Sequence, residues 1–547
     1  MLYNEKLHKI DHRDQMGHHK SFKQRFSWRS IKTPTWYQVI AGKMINGKKT
    51  KIGIVHVTNT SFGENKVYGD AVETVDIHFK HISKDVKWND LFPEWIDETL
   101  PWDSSKCPYI PMPELENCYD DLDVVVAEVP CGEAGIRHDG RSFEDVFRLQ
   151  VNLVVANLLV KCGRKDNVLA VFMGHCGPMW EIFRCDEVVW HEGNTWIYRP
   201  HLERLKQKVL MPVGSCQLAP PFPKPGQYAG TQNDMIASSV SGDKVYNKAK
   251  EAYVTVLHSS EDYVCGAIVL AQSIIKSNST KDLVLLADDS ISMKSLQALK
   301  AAGWRIKHIK RIRNPYARTG TYNEWNYSKL RIWQLTDYDK LIFVDSDFLI
   351  LRNTDEFFAY PQLSAAGNNR YVVAETGAPP HTFVYWSTLI FFWLRHCRYL
   401  FNSGLMLVEP STCTFRTLMK QRYRVASYNG GDQGFLNEMF MWWHRWPTKL
   451  NFLKDFSNLP EDDYVHEIIP DDIYALHYLG LKPWMCRRKD EYDCNWDNPE
   501  NKRFASDSAH RMWWRVHDAM PKELRAHCVF KPEMEDRIKL HIAVATN

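Results

Sequence analysis

From Ala252 onward, short apolar strands alternate with amphipathic helices, and this alternation constrains the fold more than any other feature of the chain. "AYVTVLHSS" (Ala252 to Ser260) reads as a strand that ends in polar residues. "EDYVCGAIVLAQSIIKS" follows, with Val264, Ile268, Ala271 and Ile275 on one helical face. Glu261 and Asp262 fall in its first turn, where acids complement the helix dipole. "DLVLLADD" (Asp282 to Asp289) is the next strand, "SMKSLQALKAAGW" a helix stopping at Gly303, and "RIKHIKRI" a further strand. Alternating apolar strands and helices predict an α/β domain with parallel strands and helices on both faces. In such sheets, ligands bind beyond the carboxyl ends of the strands.

One strand end carries unusual charge. In "DKLIFVDSDFLILRNTDEFF" (Asp339 to Phe358), the apolar run Leu341 to Val344 leads into Asp345, Ser346 and Asp347. Carboxylates at i and i+2 on extended backbone point the same way. Each raises the other's pKa unless a cation lies between them. A hard divalent ion such as Mn²⁺ or Mg²⁺ would relieve that cost and could bridge a diphosphate. D-x-D alone also occurs in turns and as surface pairs; its place after a buried strand is what favours a metal. Three further segments stand out. "FNSGLMLVEPS" puts Asn402 and Ser403 just before a strand, and "NGGDQGFLNEMF" puts Asp432 and Gln433 at a turn before a helix. "ALHYLGLKPWMC" carries His477, Gly480, Lys482 and Trp484 after a strand-like entry.

The chain has 547 residues, too many for one ordinary core. Residues 1–35 are polar and basic, with neither a signal peptide nor a membrane-spanning run. Residues 36–216 read as an N-terminal α/β or α+β domain of unassigned role. Its strands lie at Lys51 to Val57, Asp121 to Cys131 and Asn167 to Gly174, with a helix in "FRLQVNLVVANLLVKCG". Proline, glycine and serine crowd residues 217–250, a linker. The catalytic candidate spans 251–530, and 531–547 is a tail. A formal charge of +3 predicts no strong field for nucleic acid, so none is expected as a partner. Thirteen cysteines form no CxxC pair and no zinc spacing. Disulfides in a secretory lumen would account for them, with at least one left over or paired externally. Sequons at Asn59, Asn278 and Asn326 permit that location.

D-x-D, F-N-S-G, G-G-D-Q-G and H-Y-x-G-x-K-P-W, in this order, resemble glycosyltransferase family 8, the glycogenin-like retaining enzymes. The wording of "VLHSSEDYVCGAIVLAQSI", "YNEWNYSKLRIWQLTDYDK", "YNGGDQGFLNE" and "ASDSAHRMWWRVHDAMP" is similar to the plant glucuronyltransferases that substitute xylan. The likeness extends from about Trp36 over nearly the whole chain. It implies a GT-A fold, a Rossmann-like mixed sheet, and a UDP-sugar donor, UDP-glucuronate. The acceptor would be xylan or a xylooligosaccharide, with Golgi polysaccharide-synthesis proteins as further partners. Asp345, Asp347 and His477 would hold Mn²⁺. Lys482 would neutralise the departing diphosphate, with Gly480 allowing close backbone approach. Leu257, Ser259 and Tyr263 match positions around the uridine, Tyr263 being equally a helix-packing aromatic. Lys329 matches a donor-binding lysine. Asn402, Asp432 and Gln433 match residues that hold the donor sugar, and Asp432 or Gln433 is a candidate nucleophile. Trp484 reads as core packing. Arg331 is the candidate partner of the glucuronate carboxylate, against a bland reading as a helix-surface arginine. Alternatives within the family are glycogenin-like glucosyl transfer and a sphingolipid acceptor; outside it, an inactive glycan-binding homologue.

Two features depart from the family pattern. Arg370 to Leu400 intervene where the family runs almost directly from "SAAGNN" to "FNSG". The segment reads as a retained intron, and as real protein it would threaten the placement of Asn402. Family members are type II Golgi proteins with an anchor near the start; this chain shows none and is read as truncated, with its catalytic part on the lumenal side.

Overall fold

The first half builds one sheet from β1 (Thr50–Val55), β2 (Val72–Ile77), β3 (Val124–Glu128), β4 (Leu169–Met173), β5 (Val188–Glu192) and β6 (Thr195–Tyr198). Its order is β2-β1-β3-β4-β6-β5. The first four strands are parallel, and β6 runs antiparallel to both its neighbours. Three helices precede or follow them: α1 (Thr35–Met44), α2 (Trp88–Leu91) and α3 (Val146–Cys162), with α4 (Leu202–Val209) after β6. Helix α3 is apolar almost all round and packs against β1, β3 and β4. Its two fully buried amides are satisfied: Gln150 Oε1 accepts from the Ile82 N–H and Nε2 donates to the Lys80 and Pro111 carbonyls, while Asn152 Oδ1 accepts from the Met179 N–H and Nδ2 donates to the Arg148 carbonyl. A buried amide left unpaired would cost free energy instead.

The computed structural model describes residues 35–44, 49–57, 72–93, 95–98, 107–114, 121–131, 146–164, 167–220, 249–367, 400–427, 429–456, 469–486 and 492–528. Most of the expected linker, much of the 370–400 segment and the sequon at Asn59 lie outside the described residues. The sequon asparagine Asn326 is buried, which leaves no room for a glycan there.

The second half opens with β7 (Glu251–Leu257), α5 (Val264–Lys276), β8 (Asp282–Ala287), α6 (Met293–Ala301) and β9 (Arg305–His308), as the alternation predicts. Ser292 caps α6, its hydroxyl accepting from the Ser295 N–H. A 3₁₀ helix, Asn326–Gln334, carries Lys329 toward β10 (Lys340–Val344) and β11 (Phe348–Ile350). Then come β12 (Ser364–Gly367), β13 (Phe401–Val408), α7 (Thr412–Gln421), α8 (Asp432–Met439), β14 (His444–Trp446), β15 (Phe452–Leu453), β16 (Ala475–His477) and α9 (Asp507–Asp518). The seven-stranded sheet has order β14-β12-β13-β10-β7-β8-β9. β10, β7, β8 and β9 are parallel, while β13 runs antiparallel to β10 and β12, so the sheet is mixed. Asn402 and Ser403 lie within the start of β13 rather than before it.

The two halves share a core and are cross-linked. The Cys185–Cys413 disulfide joins them. Beside it, Arg184 donates to Glu409 at 3.2 Å and to the Pro410 carbonyl at 3.1 Å. Arg445 on β14 donates to the carbonyls of Ser215 and Pro93, and Trp442 donates to that of Val213. Four further disulfides with both cysteines among the described residues are Cys107–Cys216, Cys131–Cys176, Cys265–Cys528 and Cys486–Cys494.

Candidate active site

A three-stranded sheet of order β11-β16-β15 brings the candidate metal ligands together. β11 pairs antiparallel with β16, and Phe348 faces His477 in that register. Asp347 immediately precedes Phe348, so the pairing brings His477 to the D-x-D from more than a hundred residues away. The His477 ring stacks on Phe348 at 4.2 Å. Gly404 leaves room for it: a Cβ there would lie 2.7 Å from His477 Cε1 and 2.9 Å from Asn402 Oδ1. One ligand atom from each of Asp345, Asp347 and His477 lies within 4.8 Å of the others.

The electrostatics suit a cation. Desolvation leads in pushing Asp345 up to about 7, Lys329 opposes it, and Asp347 and Asp432 add like charge. Burial also pushes against Asp347, but Lys482 outweighs it and holds that carboxyl below its ordinary value. Burial drives His477 down to about 4, so the imidazole is neutral and has a lone pair to give. Two carboxylates in conflict beside a neutral imidazole form a donor set that fits a divalent ion with a preference for oxygen and nitrogen ligands. The other acid and thiol cluster, Cys486, Asp493 and Cys494, is closed by the disulfide between its cysteines.

A second layer of polar residues fixes the first. Lys482 Nζ lies 2.8 Å from Asp347 and donates to the Tyr478 carbonyl at 2.5 Å. Lys329 Nζ lies 2.5 Å from Asp432 and 3.4 Å from Asp345. Burial works against that ammonium, but Asp345 and Asp432 hold it above its ordinary value. The Ser403 hydroxyl donates to Asp432 at 3.1 Å, and the Ser403 N–H donates to Gln433 Oε1 at 3.1 Å. Asn402 Oδ1 accepts from Gly404 N–H and from Asn451 Nδ2, both at 2.9 Å. Asn451 Oδ1 in turn lies 3.3 Å from His477 Nδ1. Asp345, Asp347, His477, Lys482, Lys329, Asn402, Asp432 and Gln433 therefore form one connected site.

The remaining expected residues fall elsewhere. The Leu257 side chain is in the core. Ser259 has φ +72°, and its N–H points to Asp288 Oδ2 at 3.5 Å, at the carboxyl ends of β7 and β8. Tyr263 meets Trp484 edge-on at 5.9 Å, and Trp484 is buried against Trp513. Gly480 has φ +70°, and a Cβ there would lie 2.5 Å from Asn495 Oδ1, so glycine is needed for this turn. Arg331 is not brought to the cluster. Its Nε donates to the Lys310 carbonyl and its Nη1 to Gln334, and the guanidinium lies over Phe415. The sequence reading passed over Asn451, which sits in a loop with no motif; it noted Ser403 in F-N-S-G without a role, which comes from contacts with Asp432 and Gln433.

Comparison with known proteins agrees with this architecture. The profile of the GUX1-5 N-terminal domain matches residues 24–216, and that of glycosyl transferase family 8 matches residues 254–487. The putative UDP-glucuronate:xylan alpha-glucuronosyltransferase 5 of Arabidopsis thaliana is 45% identical over 93% of this chain and 84% of its own length. UDP-glucuronate:xylan alpha-glucuronosyltransferase 2 of the same plant is 47% identical over 88% of this chain and 75% of its own. Among solved structures, galactosyltransferase LgtC in complex with donor and acceptor sugar analogs aligns with TM-score 0.34 and 15% identity, over 50% of this chain and 99% of that one. The chain belongs to glycosyltransferase family 8, in the group represented by these UDP-glucuronate:xylan alpha-glucuronosyltransferases.

Proposed function

We propose that this chain moves glucuronic acid from UDP-glucuronate onto the xylan backbone, with retention at the anomeric carbon, in plant cell-wall synthesis. The observation that carries the reading is the convergence of Asp345, Asp347 and His477 beside Lys482, in a chain with these relatives over most of its length. Mn²⁺ held by the three ligands would supply charge neutralisation to the diphosphate. Lys482 adds a fixed positive charge beside Asp347, where negative charge grows on the departing UDP. Lys329 and Ser403 orient Asp432, and the Ser403 N–H orients Gln433, so both side chains are preset to hold the donor sugar. Asn402, pinned by Gly404 and Asn451, completes that wall. As the bond from the anomeric carbon to the phosphate oxygen breaks, the acceptor hydroxyl attacks from the same face. Its proton passes to the leaving phosphate.

Disulfides in both halves and between them support a lumenal, oxidising location, and we place the enzyme in the Golgi. The test is transfer from UDP-glucuronate to xylohexaose with Mn²⁺, using the wild type and Asp345→Ala. Transfer that chelation abolishes, that Mn²⁺ restores and that the variant lacks is the expected result. A folded wild type that binds UDP yet transfers nothing to xylohexaose would sink the xylan assignment. Transfer to a sphingolipid head group instead would move the acceptor, not the chemistry.

A further inference from the structure

A glucuronate donor carries a carboxylate at C6, and a selective site has to meet it with a cation. Most cations near the carboxyl edge of the catalytic sheet are already engaged. Lys329 is held by Asp432 and Asp345, and Lys482 by Asp347 and the Tyr478 carbonyl. Arg313 is held by Glu324 and donates to Thr319. Arg331 is turned to Lys310 and Gln334. Arg311 differs. It follows β9 by three residues and meets Asp288, the first residue after β8, through Nε at 2.9 Å. Its guanidinium lies over the Trp325 ring, 4.4 Å from the centroid, and 36% of its side chain stays exposed. The tryptophan face fixes the plane of the group, and Asp288 anchors it at Nε. A planar guanidinium held this way is suited to bidentate binding of a carboxylate.

Its place in the fold joins the two ends of the donor. Asp288 also receives the Ser259 N–H, at the strand ends expected to hold the nucleotide. Asn314, three residues beyond Arg311, donates to the Gly430 carbonyl in the turn that presents Asp432. His258, the residue before Ser259, feels the charges of Asp288, Asp432, Arg311 and Lys329. Resting on the glucuronate reading above, we infer that Arg311, braced by Asp288 and Trp325, binds the C6 carboxylate of the donor sugar and sets its selectivity.

The test compares UDP-glucuronate with UDP-glucose, which has a neutral hydroxymethyl group at C6, in the wild type, Arg311→Gln and Arg311→Lys. UDP binding by calorimetry serves as the control for fold and nucleotide site. In Arg311→Gln, kcat/KM for UDP-glucuronate should fall by about 10- to 100-fold, the worth of a charged hydrogen-bonded pair. The UDP-glucose rate should not fall with it, and UDP affinity should hold. Arg311→Lys keeps a charge against Asp288 but loses the fork, so a smaller loss of selectivity is expected even if the glutamine variant folds poorly. Equal losses for both donors, or a parallel loss of UDP binding, would make Arg311 only a brace for Asp288 and overturn the inference. So would a glutamine or lysine variant that keeps the wild-type selectivity. A wild type that prefers UDP-glucose would sink the donor reading itself, and the inference with it.

Discussion

Removing Tyr371 to Arg398 should leave the catalytic domain intact and make it more stable. Gly367 on β12 and Phe401 on β13 are direct antiparallel partners, so the ends of residues 368–400 already meet. Leu400 is 7% exposed and belongs with the strand. The dipeptide Arg-Tyr occurs at 370–371 and again at 398–399, which gives a natural seam. The cut leaves Asn368, Asn369, Arg370, Tyr399 and Leu400, a loop length common in hairpins. Shortening the connection from 33 residues to five lowers its closure cost by (3/2)RT ln(33/5), about 1.7 kcal/mol. For a chain of this size that corresponds to a rise in Tm of about 2 °C.

The sign matters more than the size. Phe401 is pinned independently of the segment, its N–H donating to Asn437 Oδ1 and its carbonyl accepting from Asn437 Nδ2. Asn402 is held by Gly404 and Asn451. Melting and UDP binding of the two chains, measured side by side, decide the matter. A lower Tm or weaker UDP binding in the shortened chain would refute the reasoning and make the segment part of the fold. A thiol count adds a second check. Ten cysteines are paired in five disulfides, Cys162 is bonded as well, and Cys118 and Cys397 lie outside the described residues. The cut removes Cys397 and makes the total even, so the shortened chain should show no free thiol in denaturant.

Three further outcomes are expected. Asn451→Leu removes the link between His477 and Asn402, and Mn²⁺ affinity measured by electron paramagnetic resonance should fall about 10- to 100-fold while Tm changes little; unchanged affinity would strip Asn451 of its role. Lys208 is buried beneath Trp442 and is pushed down to about 7, chiefly by burial. Between that value and the ordinary lysine range the unfolded chain holds the proton and the folded chain does not, so wild-type stability should rise with pH across that window. Lys208→Met should therefore be stabilised relative to wild type near pH 8, with the gap shrinking toward pH 10; a gap independent of pH would contradict the depressed value. Cys185→Ser with Cys413→Ser opens a disulfide spanning 228 residues, and should cost about 2–5 kcal/mol in denaturant melts without changing the donor preference.

What the sequence disclosed follows the range over which each signal acts. The alternation from Ala252 placed β7, α5, β8, α6 and β9 because each element carries its own apolar period, a local property. Asp345 and Asp347 were legible because their conflict is written two residues apart at the end of an apolar run, although the structure places them in the turn between β10 and β11 and not on extended strand. His477 could be named only through a motif, since the β11–β16 register that delivers it is a long-range pairing. Arg331 shows the opposite case. It is close to Lys329 in the chain, but on a 3₁₀ helix two residues turn a side chain well away from its neighbour, and Arg331 faces Lys310. Arg311 and Asn451 carried no spacing at all, and a sheet edge and a loop bring them to their places.

The same reasoning revises the view of the N-terminal half. A stretch rich in proline, glycine and serine suggests two bodies on a tether, yet Arg184 pairs with the buried Glu409 across 225 residues, and Arg445 is held by carbonyls from the other half. Separating the halves would break these contacts and expose to water the apolar core they share, which is the larger loss. The N-terminal domain is thus a wall of the catalytic unit: β13, which carries Asn402 and Ser403 at one end, runs at its other end into Glu409, where the first half grips it.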